Sequence, residues 1–468
     1  MNWARVGVII SVLLAGDATA APQASATLVD KVDAFVLAEM EREKLPGVAI
    51  GVITRDEVLI AKGYGQSNVE HRVPVTRETV FESGSVGKQF TAAAIMLQVE
   101  DGKLALEDSI TKYFTDAPES WRPIQVRHLL THTSGIPDYT VRDFDYRRDY
   151  TEDELATMAY QLELEFEPGA RWNYSNTGYV LLGILIHKVS GRFYGDVLKD
   201  RVFVPLGMTT ARIISEEDIV PNRAAGYRLV DGVLKNQEWV APKLNTTADG
   251  SLYLSVLDFV AWDRGLRKNA ILTPQSWSQV HTSVTLKSGK TYPYGFGWQL
   301  GESSGKPWYR HGGAWQGFTS VISRYLADDL TIVVLANLAD ANPERFVDGI
   351  ATILNPQIAT IEPTKPIADR EPAVTERVRA LLVSAGQGKL SPEEFAYTRA
   401  GFFPDAVKYY QQLLGPLGVP QRLDLLERKE MGDDRVYRYA AVYGDQTLFV
   451  SASLAPNDKV SDFSVWPK

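Results

Sequence analysis

Four runs near residue 300, "YGFGWQL", "WYRHGG", "GFTSVISRYL" and "LTIVVLANLA", follow one another with only short Gly or Asp turns between them. Strands joined so tightly have to return antiparallel, because a parallel neighbour needs a crossover of about a dozen residues or more. This predicts an antiparallel meander in the chain's second half. Upstream, "GVAIGVITRDEVLIAKGYG", residues 47–65, reads as two more strands around the charged turn Arg55-Asp56-Glu57. Helical spacing lies between these sheet segments. Phe90, Ala93, Ala94 and Leu97 follow the i, i+3, i+4, i+7 rule and predict a buried helix that starts at Ser85. "TEDELATMAYQLE" and "TGYVLLGILIHKVSG" are predicted helices too, the second closed by Gly191. Strand runs and helical runs in separate blocks indicate the α+β class.

At 468 residues the chain exceeds one compact core. Pro356, Pro363, Pro366 and Pro372 fall where periodicity is lost, so residues 356–372 are expected to be a linker. On this division residues 21–355 form the main domain. Residues 373–468 form a small α+β unit, with helices in "TERVRALLVSA" and "FPDAVKYYQQLLGPLG" and strands in "RVYRYAAVYG", "TLFVSASL" and "VSDFSVW". The first residues, "MNWARVGVIISVLLAGDATAAP", have an early Arg5, an apolar stretch from Val6 to Ala15 and a small-residue cleavage signal at Ala18-Thr19-Ala20. Residues 1–20 are therefore expected to be a signal peptide, too short in its apolar run to span a bilayer as a stable anchor. That places the mature protein in the periplasm or the medium.

A net charge of -9 with no long Lys/Arg run disfavours nucleic acid, whose binding rests on cations neutralising phosphates. The chain contains no cysteine, which rules out thiol catalysis and disulfides within it.

In "FESGSVGKQFTAAAIMLQ" Ser85 precedes Lys88 by three positions. On a helical turn the two share a face, close enough for the amine to reach the hydroxyl. Alone, such a pair reads as a helix cap and a solvated lysine. To act as a base near neutral pH the amine must be uncharged, which burial favours. "RWNYSNTGYVLLG" adds Tyr174 as a second proton handler, with Asn176 beside it, and "RHGGAW" adds His311-Gly312-Gly313 on a strand whose glycines let a substrate approach.

Ser85-Val86-Gly87-Lys88, Tyr174-Ser175-Asn176 and His311-Gly312-Gly313, in that order, resemble the serine β-lactamase and penicillin-binding protein superfamily, in particular its class C branch with the D-aminopeptidases and related esterases. "VRHLLTHTSGIPDY", residues 126–139, is also similar to a stretch of that group, and the likeness spans roughly Ala26 to Leu354. The resemblance implies a central antiparallel sheet flanked by helices, with an all-helical subdomain. It implies that Ser85 attacks a carbonyl carbon to give an acyl-enzyme, that Lys88 and Tyr174 share the proton work, and that the backbone N–H groups of Ser85 and Ala314 form an oxyanion hole. Asn176 would orient Lys88 or bind a substrate amide, and His311, Gly312 and Gly313 would line the substrate's path. Penicillin-degrading members usually carry Lys at the position of His311. A histidine of ordinary pKa is mostly neutral there, so carboxylate binding is expected to be weak.

The expected activity is therefore hydrolysis of a small ester, amide or D-amino-acid peptide. The alternatives are a penicillin-binding or cell-wall-sensing protein with little turnover, or a weak class C-type β-lactamase. No cofactor is expected. His128 and His132 stand four apart but lack the Glu of H-E-x-x-H, so no metal is expected either. Asp138 and Tyr139 read as loop structure and Trp315 as a pocket wall or a core residue. The C-terminal unit weakly resembles cystatin or nuclear-transport-factor folds. Covering the cleft, binding substrate or making a homo-oligomer are the roles open to it.

Overall fold

The computed structural model describes residues 21–467 apart from 56, 140–143, 214–216, 304, 359–362 and 398–401. The expected signal peptide, and Asp56 of the charged turn, lie outside the described residues.

Strands β1 (Gly47–Ile53), β2 (Val58–Asn68) and β3 (Val73–Pro74) come early, and β4 (Gln299–Ser303), β5 (Lys306–Trp315), β6 (Phe318–Tyr325) and β7 (Leu330–Ala336) form the expected meander. Together they make one seven-stranded sheet in the order β4-β5-β6-β7-β1-β2-β3. Every neighbouring pair is antiparallel. The runs "GVAIGVI" and "LTIVVLA" lack polar alternation because β1 and β7 are buried on both faces. Val48, Ile50, Ile332 and Val334 face a cluster with Phe346, Val347 and Ile350, whereas Ala49, Val333 and Leu335 face a second cluster built from the helices that follow Ser85. Helices α1 (Ala21–Glu43) and, at the end of this region, Pro343–Leu354 cover the first face.

The second face carries α2 (Lys88–Glu100), α3 (Asn176–Ser190) and α4 (Val256–Arg267), with short helices at Val126–Leu130 and Glu152–Tyr160. Their shared core runs through Phe90, Ile95, Leu129, Tyr179, Leu182 and Trp262. The Glu152 helix has a Thr151–Glu154 capping box, and α3 is closed by Gly191 in the left-handed region, as the sequence predicted. At its start the cap is Ser175, whose Oγ accepts from the N–H of Gly178 at 3.4 Å.

The start of α2 differs from the expectation. The helix proper begins at Lys88, and Ser85 sits in a preceding 3₁₀ turn, Gly84–Gly87. In such a turn residues i and i+3 eclipse, which aligns Ser85 with Lys88 more closely than an α-helix would.

Residues from Pro372 on pack around a third cluster of their own, including Leu381, Leu414, Tyr439 and Val450. Two helices, Pro372–Gly386 and Phe402–Leu414, lie with a four-stranded antiparallel meander, Arg422–Met431, Asp434–Tyr443, Gln446–Leu454 and Val460–Pro467. The first of these strands, "RLDLLERKEM", was not anticipated, because charged residues dominate it and a register shift interrupts its alternation.

Candidate active site

From Phe81 to Gln98 every residue is buried except Ser85. A hydroxyl that alone reaches the surface from a buried turn is placed to react. The turn is held from two sides. The short strand Phe81–Glu82 pairs with Tyr253–Leu254, and the Oγ of Ser320 on β6 donates to the carbonyl of Ser83 at 2.5 Å. Strand β5 then passes directly over the turn. A Cβ on Gly313 would lie 2.1 Å from Ser83 O and 2.9 Å from Ser85 N, and one on Gly84, whose φ is +51°, would lie 2.5 Å from Ala314 N. Glycine at both positions is thus what lets the amides of Ser85 and Ala314 approach one another. Beyond Arg310, β5 has no strand on its outer edge among the described residues, since β4 pairs only with Lys306–Arg310. Ser85 and Ala314 border a cleft of about 360 Å³, together with Asn176, Tyr139, Trp315, Thr247, Asp249 and the neighbouring Gly250-Ser251.

Lys88 is fully buried, and its amine lies among three acceptors. It reaches Ser85 Oγ at 3.1 Å, Asn176 Oδ1 at 2.8 Å and, more closely still, the carbonyl of Asp249. The orientation of the Asn176 amide is set by Asp138, whose Oδ2 accepts from Asn176 Nδ2 at 3.0 Å and from its backbone N–H at 2.9 Å. A carboxylate only accepts, so the amide oxygen must face Lys88. An uncharged amine has two N–H bonds and one lone pair. When the amine gives up its proton, Asn176 and the Asp249 carbonyl can take its two N–H bonds, which leaves the lone pair for Ser85 Oγ.

Tyr174 packs beside this amine, with Lys88 Nζ 4.9 Å from its ring centroid, and its ring lies 4.2 Å from that of His132. The Tyr174 hydroxyl makes no hydrogen bond to Ser85 or Lys88. The resemblance therefore has Tyr174 in the site but not yet in contact with the nucleophile.

His311 is placed differently from the expectation of a residue along the substrate's path. Its ring is buried, Nε2 meets the Tyr294 hydroxyl at 2.9 Å, and Nδ1 meets the Gly312 carbonyl at 2.6 Å. Tyr294 in turn meets His132 Nε2 at 3.1 Å, and His132 Nδ1 accepts from the backbone N–H of Ser175 at 3.1 Å. This chain admits one self-consistent direction. With Nδ1 accepting, His132 donates from Nε2 to Tyr294, Tyr294 donates to His311, and His311 donates from Nδ1 to Gly312. Burial, reinforced by the Lys88 charge, pushes the His311 pKa down to about 3, so the ring is neutral. Neither nitrogen is left for a substrate carboxylate. The relay instead ties the Tyr174 loop to the strand over the nucleophile.

Several residues of the site escaped the sequence reading. Asp138 and Tyr139, read as loop, support Asn176 and the carboxyl of Asp249, to which the Tyr139 hydroxyl donates at 3.1 Å. Asp249-Gly250 resembles an ordinary turn dipeptide, and only the pairing of Leu254 with Phe81 brings it beside Ser85. Among the described residues no group of histidines and carboxylates is arranged to hold a metal ion.

A family model described as Beta-lactamase matches residues 32–354. The chain is 30% identical over 298 residues to "Penicillin-binding protein 4*" of Bacillus subtilis (strain 168), covering 60% of this chain and 66% of that protein. It is 27% identical over 363 residues to the D-aminopeptidase of Gluconobacter oxydans (strain 621H), covering 74% of this chain and 68% of that protein. The match thus spans about two thirds of the length of either relative. In fold it is similar to the octameric penicillin-binding protein homologue from Pyrococcus abyssi, with a TM-score of 0.62, 24% identity, and coverage of 94% of this chain and 98% of that one.

Proposed function

The chain belongs to the beta-lactamase family, and from that premise we propose that it is an exported serine hydrolase acting on a small amide, ester or D-amino-acid peptide through an acyl-enzyme. The observation that carries this reading is the buried Lys88 amine 3.1 Å from Ser85 Oγ, whose two other acceptors can hold its N–H bonds once it has lost a proton.

In this reading Ser85 Oγ attacks the carbonyl carbon as its proton passes to Lys88 Nζ. The oxygen, now negative, faces the N–H groups of Ser85 and Ala314, each such donor contributing about 3 kcal/mol to the barrier reduction. The tetrahedral adduct collapses, the bond to the leaving amine or alcohol breaks, and Tyr174 relays a proton to the departing group. Water then attacks the ester on Ser85, its proton passing to Tyr174 as Tyr174 hands its own to Lys88 Nζ, and the acid is released as Lys88 returns that proton to Ser85 Oγ. The Tyr174 ring must shift toward Ser85 for this, as catalytic contacts often tighten only when substrate is bound.

The test compares the purified protein with Ser85→Ala on a p-nitrophenyl ester, a D-alanine anilide, a chromogenic cephalosporin and a fluorescent penicillin. Hydrolysis of ester or anilide, lowered at least about a thousandfold in the variant, is the expected result. Undiminished activity in the variant would remove Ser85 from the mechanism. A penicillin label that persists on Ser85 without release would instead favour the slow, sensor-like alternative.

A further inference from the structure

Among the described residues, the lining of the cleft beside Ser85 includes one acid and no basic side chain. Its lining includes Asp249 but no lysine, arginine or histidine. Lys88 lies fully buried behind the nucleophile, and both nitrogens of His311 are engaged. A substrate carboxylate, of the kind carried by penicillins or by the free C-terminus of a peptide, meets no counter-charge among the described lining residues. A cation does.

Asp249 is 91% buried, with a relative exposure of 9%. Its Oδ2 accepts from Tyr139, but Oδ1 is buried with no hydrogen-bond partner. The Thr247 hydroxyl and the backbone N–H of Asp249 itself stand close enough to influence the carboxyl, yet neither completes a hydrogen bond to Oδ1, and the hydroxyl donates to the Leu244 carbonyl at 3.2 Å. A buried carboxylate oxygen without a donor is costly, and natural structures leave few. Burial pushes the Asp249 carboxyl upward while the Lys88 charge draws it back. An arriving cation would act in the same direction as Lys88.

Position adds the rest. Ser85 Oγ and the backbone carbonyl of Asp249 are both held by the one Lys88 amine. In an aminoacyl substrate the α-nitrogen lies two bonds from the carbonyl carbon that Ser85 would attack. A carboxylate on a residue so near the nucleophile is matched to that nitrogen rather than to a charge far along a side chain.

We propose that Asp249 is the specificity-determining residue of this cleft, its carboxylate receiving the free α-ammonium of an aminoacyl amide or peptide. The inference rests on the reading of Ser85 as the acylated residue. It makes the enzyme one that works from the amino end of its substrate, with Tyr139 positioning the carboxylate.

The experiment measures kcat/KM for D-alanine p-nitroanilide and for N-acetyl-D-alanine p-nitroanilide, in the wild type and in Asp249→Asn. The two substrates differ in the ammonium. Wild-type enzyme should prefer the free amine by at least about tenfold, as a charge-assisted hydrogen bond of ordinary strength provides. In Asp249→Asn that ratio should fall by about tenfold, chiefly through KM for the free amine. A variant that loses activity on both substrates alike, with the ratio unchanged, would show Asp249 to be merely structural and would overturn the proposal. Equal or better turnover of the acetylated substrate by the wild type would overturn it even if the variant does not fold. Ser85-dependent hydrolysis of p-nitrophenyl acetate separates the two layers. If that holds while the amine preference is absent, only the role of Asp249 fails; if it is absent, the reading of Ser85 fails first.

Discussion

A single side chain decides what the Lys88 amine can do. Asn176 presents its oxygen to Lys88 only because Asp138 accepts both of its neighbouring N–H groups, at 2.9 and 3.0 Å. Without that acceptor the amide is free to turn and offer its NH₂ to the amine, which would draw the lone pair away from Ser85. Asp138→Ala is therefore expected to lower kcat by about tenfold to a hundredfold, the range for orphaning a partly buried donor. KM should move little, since no substrate contact is removed. Steady-state kinetics on a p-nitrophenyl ester reads both, and an unchanged kcat would show that Asn176 keeps its orientation by other means. The resemblance marked Asn176, but its supporting carboxylate lies 38 residues earlier in a stretch that looks like loop. Nothing in local sequence joins the two.

At the scale of elements the site is an encounter between one turn and one strand. The 3₁₀ turn Gly84–Gly87 lifts Ser85 out of a buried segment, and β5 crosses it so closely that Gly313 has no room for a methyl group. Gly313→Ala would place a Cβ against the Ser83 carbonyl and the Ser85 amide, so the strand must retreat and carry the Ala314 amide with it. Loss of one oxyanion donor costs about a hundredfold to a thousandfold in kcat. A loss of that size is expected, with circular dichroism and the thermal midpoint showing that the sheet persists. Near wild-type turnover would mean that Ala314 does not serve the oxyanion. The meander and the α2 periodicity were legible beforehand because strand and helix periods are local properties of the chain. The 3₁₀ start of α2 was not, since it depends on what packs over it. The histidine relay was equally hidden: His132, Tyr294 and His311 come from three separate segments and meet only in the fold.

At the scale of the whole molecule, the C-terminal unit bears on the segment that leads to Tyr174. The tip of its first hairpin reaches the main body where Gly432 N donates to the Thr291 carbonyl at 3.0 Å. Tyr292 beside it stacks on Trp172, with centroids 4.2 Å apart. Arg171, next in line, lies 3.2 Å from the ring centroid of Tyr397 and 3.6 Å from a carboxylate oxygen of Asp434. Burial pulls its guanidinium down and Asp434 pulls it back up. Arg171→Ala should therefore lower the melting temperature by a few degrees and reduce kcat through the neighbouring Tyr174 loop. Calorimetry with parallel kinetics checks this, and an unaltered melting curve would show that the contact holds nothing together. Sequence alone determined the antiparallel meander, the main helices of the first domain and the identity of Ser85, Lys88 and Tyr174 as the residues to watch. Those follow from periodicity and from motifs that are contiguous in the chain. The three acceptors around the Lys88 amine, the engagement of both His311 nitrogens and the acid beside the nucleophile were decided by tertiary structure. Each depends on which distant groups share a hydrogen bond or are shut away from water, and neither is a property of neighbouring residues.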